Sequence, residues 1–211
     1  MNQAAAAAPA VNANNFELNK GDDFIIGLDI SASMQASDCP GGYSRTQYSL
    51  EQLTTFIKEA SKWDTDGVSV YGFGINVHKQ PDVSADKLDD AIAALKALPY
   101  EGGTRTELVI QEAWKEHQER NNEQTVLMLF TDGEPGDQEA VFKTIADITN
   151  QVKDEREFNI AFITVGQRSA SLNQFLTKLD DAIPGAKYDI VDVKALEEVD
   201  FYKAFDGALN D

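Results

Sequence analysis

The sequence predicts an α/β domain with a doubly wound, mostly parallel β-sheet flanked by helices. Short apolar stretches, typical of strands buried on both faces, alternate along the chain with longer stretches whose apolar residues recur at helical spacing. This alternation favours parallel strands, because a helix between two strands returns the chain to the same edge of the sheet. The length of 211 residues suits one such domain, and 42% of the residues are hydrophobic, as in ordinary globular proteins.

The first half of the chain is predicted to contain a strand, an amphipathic helix, two further strands and a second helix. Their ranges are 24–30, 48–63, 68–73, 77–79 and 84–98. Apolar residues three and four positions apart define both helices. Ser84 is the expected N-cap of the second helix, and Pro99 ends it.

The second half of the chain continues the alternation and closes with a helix. The predicted helices are 106–120, 139–152, 169–179 and 199–209, and the predicted strands are 125–130, 158–165 and 188–193. The strand at 125–130 is the most apolar. Each stretch has the length of a single β-strand, and turn residues separate it from the neighbouring helices.

The alanine-rich start of the chain predicts a flexible N-terminal tail over residues 1–20, followed by one domain over residues 21–211. The tail lacks the basic segment and the strongly apolar core of a secretory signal. Cys39 is the only cysteine, in a loop that looks exposed, so an intrachain disulfide is impossible. A single cysteine fits a reducing compartment, and we expect a cytoplasmic protein.

The net charge of the chain argues against two classes of partner. The formal net charge is -18, from 36 acidic and 18 basic residues. Lysine and arginine supply most of the affinity for nucleic-acid backbones, so this balance argues against a nucleic-acid partner. It also disfavours an anionic membrane surface, and no apolar run approaches the roughly 20 residues of a membrane span.

Oxygen-bearing side chains stand at three places where a predicted strand ends or a loop enters a helix. Asp29, Ser31 and Ser33 follow the first strand, Thr104 precedes the helix at 106, and Asp132 follows the most apolar strand. Ligands of parallel sheets bind beyond the carboxyl ends of the strands. Carboxylates and hydroxyls suit a hard divalent cation, above all Mg²⁺ or Mn²⁺. Each place alone is as consistent with a cap or a turn.

Together the three places resemble the metal-ion-dependent adhesion site (MIDAS) of the von Willebrand factor type A (vWA) domain. Asp29-Ile30-Ser31-Ala32-Ser33 matches the Asp-x-Ser-x-Ser motif of that family. Thr104 in Gly-Gly-Thr-Arg-Thr matches the second-loop threonine, and Asp132 in Phe-Thr-Asp-Gly-Glu matches the third-loop aspartate. All five positions are intact, and the resemblance implies the Rossmann-like vWA fold. The loop at 38–45 resembles the intracellular bacterial and phage members more than the extracellular adhesive ones.

The resemblance implies a metal-dependent protein–protein interaction module rather than an enzyme. Ser31 and Ser33 would bind the ion directly, Thr104 directly or through water, and Asp29 and Asp132 largely through water. The ion would be Mg²⁺, or Mn²⁺ or Ca²⁺, with one position open for an Asp or Glu carboxylate of a partner protein. Intracellular members often work with an ATPase of the AAA+ type, so such a partner is expected by analogy.

Two other functions remain open from the residues alone. Asp29 and Asp132 could hold Mg²⁺ for phosphoryl transfer, although such sites usually add a second carboxylate or a lysine. The chain could also be a structural subunit of a virion or filament that does not use the metal. Arg45 and Arg105 near the predicted metal face have two interpretations: they guide an incoming carboxylate past the acidic rim, or they pair with local acids.

Overall fold

The structure of the protein is a computed structural model that describes residues 23–60, 67–80, 83–181 and 183–199. Within these ranges the strands form one six-stranded sheet. Their bounds are Asp23–Asp29 (β1), Ser69–Phe73 (β2), Val77–Lys79 (β3), Thr125–Thr131 (β4), Phe158–Thr164 (β5) and Val191–Ala195 (β6). The order across the sheet is β3-β2-β1-β4-β5-β6.

Helices connect the strands and cover both faces of the sheet. The α-helices of the described ranges are Arg45–Ala60 (α1), Leu88–Ala97 (α2), Thr106–Arg120 (α3), Gln138–Thr149 (α4) and Ala170–Asp181 (α5). Short 3-10 segments lie at Ala32–Gln35, Pro40–Gly42, Ala85–Lys87 and Leu196–Glu198. No helix in this part of the chain combines the length and the apolar character that a membrane span requires.

The strand pairing confirms the predicted doubly wound, mostly parallel sheet. β1 is parallel to β2 and β4, and the parallel pairing continues from β4 to β5 and from β5 to β6. β3 alone among these strands is antiparallel, paired with β2. The chain first builds outward from β1 to β2 and β3, then returns to place β4 on the other side of β1. Ligands of such sheets bind beyond the carboxyl ends of the strands at this reversal.

β1 shows how alternate side chains fill both layers of the core. Phe24, Ile26 and Leu28 pack in the layer that contains α1 and α2. Ile25 packs in the opposite layer with α3, α4 and α5. Each of these four side chains is at most 1% exposed, and burying one contributes about 1.5–3 kcal/mol. Because both faces are covered, the strand reads as an apolar run rather than as an alternating pattern.

The observed bounds correct several predicted ones. α3 and β3 have the predicted limits. α1 begins at Arg45 rather than at 48; the sequence did not predict its polar first turn because that turn carries no apolar periodicity. β6 is Val191–Ala195 instead of 188–193. Ser84 does not cap a helix with its side chain; its hydroxyl donates to Asp86 Oδ1 at 2.5 Å, and α2 begins only at Leu88.

Some predictions fall on residues that the structure does not describe. They are the N-terminal tail at 1–20 and the closing helix at 199–209, of which only Val199 is described. The domain limits of 21–211 therefore stay a prediction.

Candidate metal centre

The predicted site residues of the first and third places meet where the strand order reverses. Asp29 is the last residue of β1, Thr131 is the last residue of β4, and Asp132 follows it. All three are buried, with exposed fractions of 0%, 2% and 5%. Neighbouring parallel strands end at one edge of the sheet, so residues about a hundred positions apart become neighbours.

Asp29 is held by a hydrogen bond to each carboxylate oxygen. The backbone N–H of Ser31 donates to Oδ1 at 2.7 Å, and the hydroxyl of Thr131 donates to Oδ2 at 2.6 Å. Burial nevertheless raises the pKa of Asp29 to about 6, because a charged carboxylate loses its solvation in the interior. A cation placed beside this group would compensate for that loss.

The hydroxyls of Ser31 and Ser33 lie next to each other and to Asp132. The two oxygens are 3.0 Å apart, and the hydroxyl of Ser33 donates to Asp132 Oδ1 at 2.8 Å. An ionised carboxylate only accepts hydrogen bonds, so Ser33 gives its one hydrogen to Asp132 and Ser31 is the donor between the serines. Ser33 thereby keeps one lone pair, and Ser31 keeps both, for binding a cation.

Thr104 belongs to the same end of the sheet, but no side-chain hydrogen bond within the described residues joins it to the other four. Its carbonyl accepts from the N–H of Gly136 at 2.8 Å, which fixes its loop against the connection after β4. The N–H of the next residue, Arg105, donates to the carbonyl of Gly74 at 2.7 Å. Thr104 is 8% exposed. The backbone therefore places this threonine beside the loop of Asp132.

Glu101 ties the first two loops together. Its N–H donates to the carbonyl of Ile30 and its carbonyl accepts from the N–H of Ala32, both at 2.9 Å. Its carboxylate accepts from the N–H of Asn76 at 2.8 Å and lies 3.1 Å from His78 Nε2. The backbone around Ser31 is thus braced against the turn between β2 and β3.

Both arginines near the centre pair with acids, which confirms the second of the two interpretations. Arg45 contacts Asp38 and Asp132, each at 2.6 Å, and Arg105 contacts Glu107 at 2.9 Å. The side chain of Arg45 is 13% exposed, so it is poorly placed to meet an incoming ligand.

Two further residues near the predicted metal face have surroundings or contacts that the sequence did not predict. Cys39 is buried instead of exposed, and burial raises the pKa of its thiol. Asp137 accepts the N–H of Ala140 at 3.0 Å as the N-cap of α4.

Sequence reasoning missed two residues that shape the centre, Thr131 and Glu101. A hydroxyl immediately before Asp132 at the end of an apolar strand was a usable signal for Thr131. Glu101 joins the loops through both its backbone and its carboxylate, and nothing in its sequence neighbourhood indicated these contacts.

The donor set fits a small divalent cation. Adjacent ligands of an octahedral Mg²⁺ site, with bonds near 2.05 Å, are separated by about 2.9 Å, close to the 3.0 Å between the two serine oxygens. A serine–serine hydrogen bond has the same length, so the same spacing fits both the metal-free and the metal-bound centre. Among the described residues no three His, Cys, Asp or Glu side chains form a metal-binding group. A cation here would therefore depend on the hydroxyls.

A comparison with family models matches the von Willebrand factor type A domain over residues 23–200. That range covers the whole sheet and every residue of the candidate centre. No protein of curated function matches the chain.

Solved structures share the fold at low sequence identity. The SpRpn10 VWA domain has a TM-score of 0.57 and 15% identity, with 88% of this chain and 94% of that chain covered. Manganese-loaded TRAP protein of Plasmodium vivax has a TM-score of 0.59 and 18% identity, covering 86% and 71%. A von Willebrand factor type A protein of Catenulispora acidiphila has a TM-score of 0.58 and 17% identity, covering 89% and 41%. At these identities the likeness shows the fold.

Proposed function

Because this chain belongs to the von Willebrand factor type A domain family, we propose that its candidate centre binds a divalent cation and, through that ion, a carboxylate of a partner protein. Domains of this family commonly mediate protein–protein interactions, often with a metal. The observation that carries the proposal is the pair of hydroxyl oxygens of Ser31 and Ser33, 3.0 Å apart and beside the carboxylate of Asp132.

The residues of the centre have different roles in binding the ion. Ser31 and Ser33 bind it through neutral hydroxyls, Thr104 binds directly or through water, and Asp29 and Asp132 supply negative charge. When bound, the ion supplies an electrophilic coordination position that an Asp or Glu side chain of the partner fills. Oxygen ligands at this spacing favour Mg²⁺ or Mn²⁺ over the larger Ca²⁺.

We propose a binding module rather than an enzyme. Phosphoryl-transfer sites usually add a second carboxylate near the first aspartate or a lysine for the phosphate. Ser31 stands at the nearby position, and Arg45 is committed to two aspartates. A partner ATPase of the AAA+ type stays a prediction by family analogy. A cytoplasmic location stays a prediction from the single cysteine.

The test is thermal unfolding in EDTA and after adding Mg²⁺, Mn²⁺ or Ca²⁺ to the wild type, to Ser33→Ala and to a control, Ser84→Ala. Ser84 lies beside Val83, which pairs with Val68 just before β2, at the opposite end of the sheet. An ion that binds only the folded state raises the midpoint with its concentration.

The proposal predicts a rise in the wild type and in Ser84→Ala that Ser33→Ala loses. An equal rise in all three proteins would place the ion elsewhere. No rise for any ion at millimolar concentration would leave the structural-subunit function as the better account. Metal-dependent turnover of a generic phosphate ester, abolished by Asp29→Ala, would instead establish an enzyme.

A further inference from the structure

Arg45 places a fixed positive charge beside the candidate metal centre. Its Nη1 donates to Asp132 Oδ2 at 2.6 Å, and its Nε and Nη2 donate to the two oxygens of Asp38 at 2.8 and 2.6 Å. The side chain of Asp132 is fully buried and that of Arg45 is 13% exposed. Both oxygens of Asp132 are thus engaged, one by Ser33 and the other by a guanidinium.

The connection after β5 closes over this arginine. The N–H of Gln167 donates to Asp38 Oδ2 at 3.3 Å. Gly166 has a φ of +73°, and a Cβ at this position would lie 2.5 Å from Arg45 Nε and 2.8 Å from Asp38 Oδ1. The guanidinium is therefore held by two carboxylates and covered by backbone, and it has little room to swing away when an ion arrives.

Formal charges show what this arrangement does. Asp29, Asp132 and Asp38 carry three negative charges and Arg45 carries one positive charge, a total of -2 that a divalent cation brings to zero. The hydrogen bonds from Arg45 lower the pKa of Asp38 to about 2, so this carboxylate stays charged at neutral pH. Without Arg45 the loaded centre would keep a charge of -1 and would repel the carboxylate of a partner.

We propose that Arg45 is an internal counter-cation that weakens the intrinsic affinity of the centre for divalent cations and makes the loaded centre accept a carboxylate. This inference rests on the proposed function. By linkage, a carboxylate that binds the loaded centre must in turn tighten the hold on the ion. Ion and partner carboxylate therefore bind cooperatively, and Arg45 sets the strength of that coupling.

The test measures Mn²⁺ binding by calorimetry to the full chain, with and without acetate as the carboxylate probe, at constant ionic strength. Arg45→Gln removes the charge, and Arg45→Lys keeps it. Arg105→Gln is the matched control, because Arg105 lies near the same face but pairs with Glu107. Circular dichroism verifies that each variant is folded before titration.

We expect Arg45→Gln to bind Mn²⁺ about tenfold more tightly than the wild type and to lose the gain that acetate gives the wild type. Arg45→Lys and Arg105→Gln should stay within about twofold of the wild type. If Arg45→Gln is poorly folded, the double variant Arg45→Gln with Asp38→Asn removes one charge of each sign and serves in its place. It should bind Mn²⁺ within about threefold of the wild type and keep the acetate effect, because its loaded centre is again neutral.

The outcomes separate the two proposals. If the wild type binds Mn²⁺ but Arg45→Gln binds it no more tightly, or keeps the acetate effect, the role of Arg45 is wrong while the metal centre stands. A double variant that loses the acetate effect is equally contrary to it. If the wild type does not bind Mn²⁺ and Arg45→Gln does, the role of Arg45 is supported, and the wild-type centre does not hold the ion without a partner. If neither binds, both proposals fail.

Discussion

Thr131 donates its hydroxyl hydrogen to Asp29 Oδ2 across 2.6 Å, and so joins the ends of β4 and β1 through a buried carboxylate. The two residues are 102 positions apart. The same hydroxyl accepts the N–H of Gly133 at 3.3 Å, which orients the loop that carries Asp132. This one side chain therefore positions both aspartates of the candidate centre.

Replacing Thr131 with Val should destabilise the metal-free protein. The change keeps the shape of the side chain but removes a donor from a buried carboxylate, which costs about 1.5–3 kcal/mol. Urea unfolding in EDTA measures it, with Thr55→Val on the surface of α1 as the control. A loss below about 0.5 kcal/mol would show that water replaces the hydroxyl.

Gly166→Ala should cost more than the same change at Gly185. Both glycines have positive φ, +73° and +83°, so the backbone cost of about 1–2 kcal/mol is shared. Only at Gly166 does the new Cβ meet Arg45 and Asp38; at Gly185 no atom lies within 4 Å. Chemical denaturation of both variants isolates the contact, and equal losses would contradict the close cover over Arg45.

Glu116→Gln should destabilise the protein by about 2–4 kcal/mol, because it discharges a buried ionic network. The carboxylate of Glu116 contacts Lys79 at 2.8 Å and Arg120 at 2.7 Å and accepts hydrogen bonds from Ser69 and Tyr71.

Glu119→Gln is the matched control for the ionic network. Glu119 is 66% exposed and pairs with Lys115 at 3.8 Å, so its loss should stay below about 0.5 kcal/mol. Urea midpoints compare the two variants. Similar midpoints would mean that the buried network contributes no more than a surface pair.

His117 should make stability fall on mild acidification. Burial lowers its pKa below the ordinary 6.5, opposed by the nearby Glu157 and aided by the charge of Lys153. The ring lies 2.8 Å from the hydroxyl of Thr125 and stacks on Trp114. The unfolded chain therefore takes up a proton first, and the stability present above pH 6.5 is lost as the pH falls from that value through the lower pKa of the folded protein.

The pH prediction is checked with urea midpoints at pH 7.5, 6.5 and 5.5. His117→Gln should remove part of the loss that the wild type shows between pH 7.5 and 5.5. Other groups titrate in both proteins, so the difference between the two curves reports His117. Parallel curves would show that the pKa of His117 is the same in the folded and the unfolded chain, contrary to this prediction.

The fold was predictable because local pattern and global architecture agree. Buried strands such as 125–130 read as apolar runs, and helices such as α3 show clear periodicity. Errors occurred where packing gives no periodic signal: the polar first turn of α1 and the half-buried edge strand β6. At Ser84 a local hydrogen bond to Asp86 replaced the expected cap.

The candidate centre was predictable only in part. Motif spacing identified Asp29, Ser31, Ser33 and Asp132, because two adjacent parallel strands bring their ends together. The contact between Arg45 and Asp132, 87 positions apart, depends on where α1 begins and on a glycine in the connection after β5. Such three-dimensional relations leave no mark in residue spacing.

β3 forms one border of the sheet with only Val77–Lys79. An unpaired strand border can recruit strands from other chains and seed their polymerisation. Three residues give too few backbone donors and acceptors for stable recruitment, and Lys79 adds charge at the end of the strand. This border is therefore a poor template for cross-β growth.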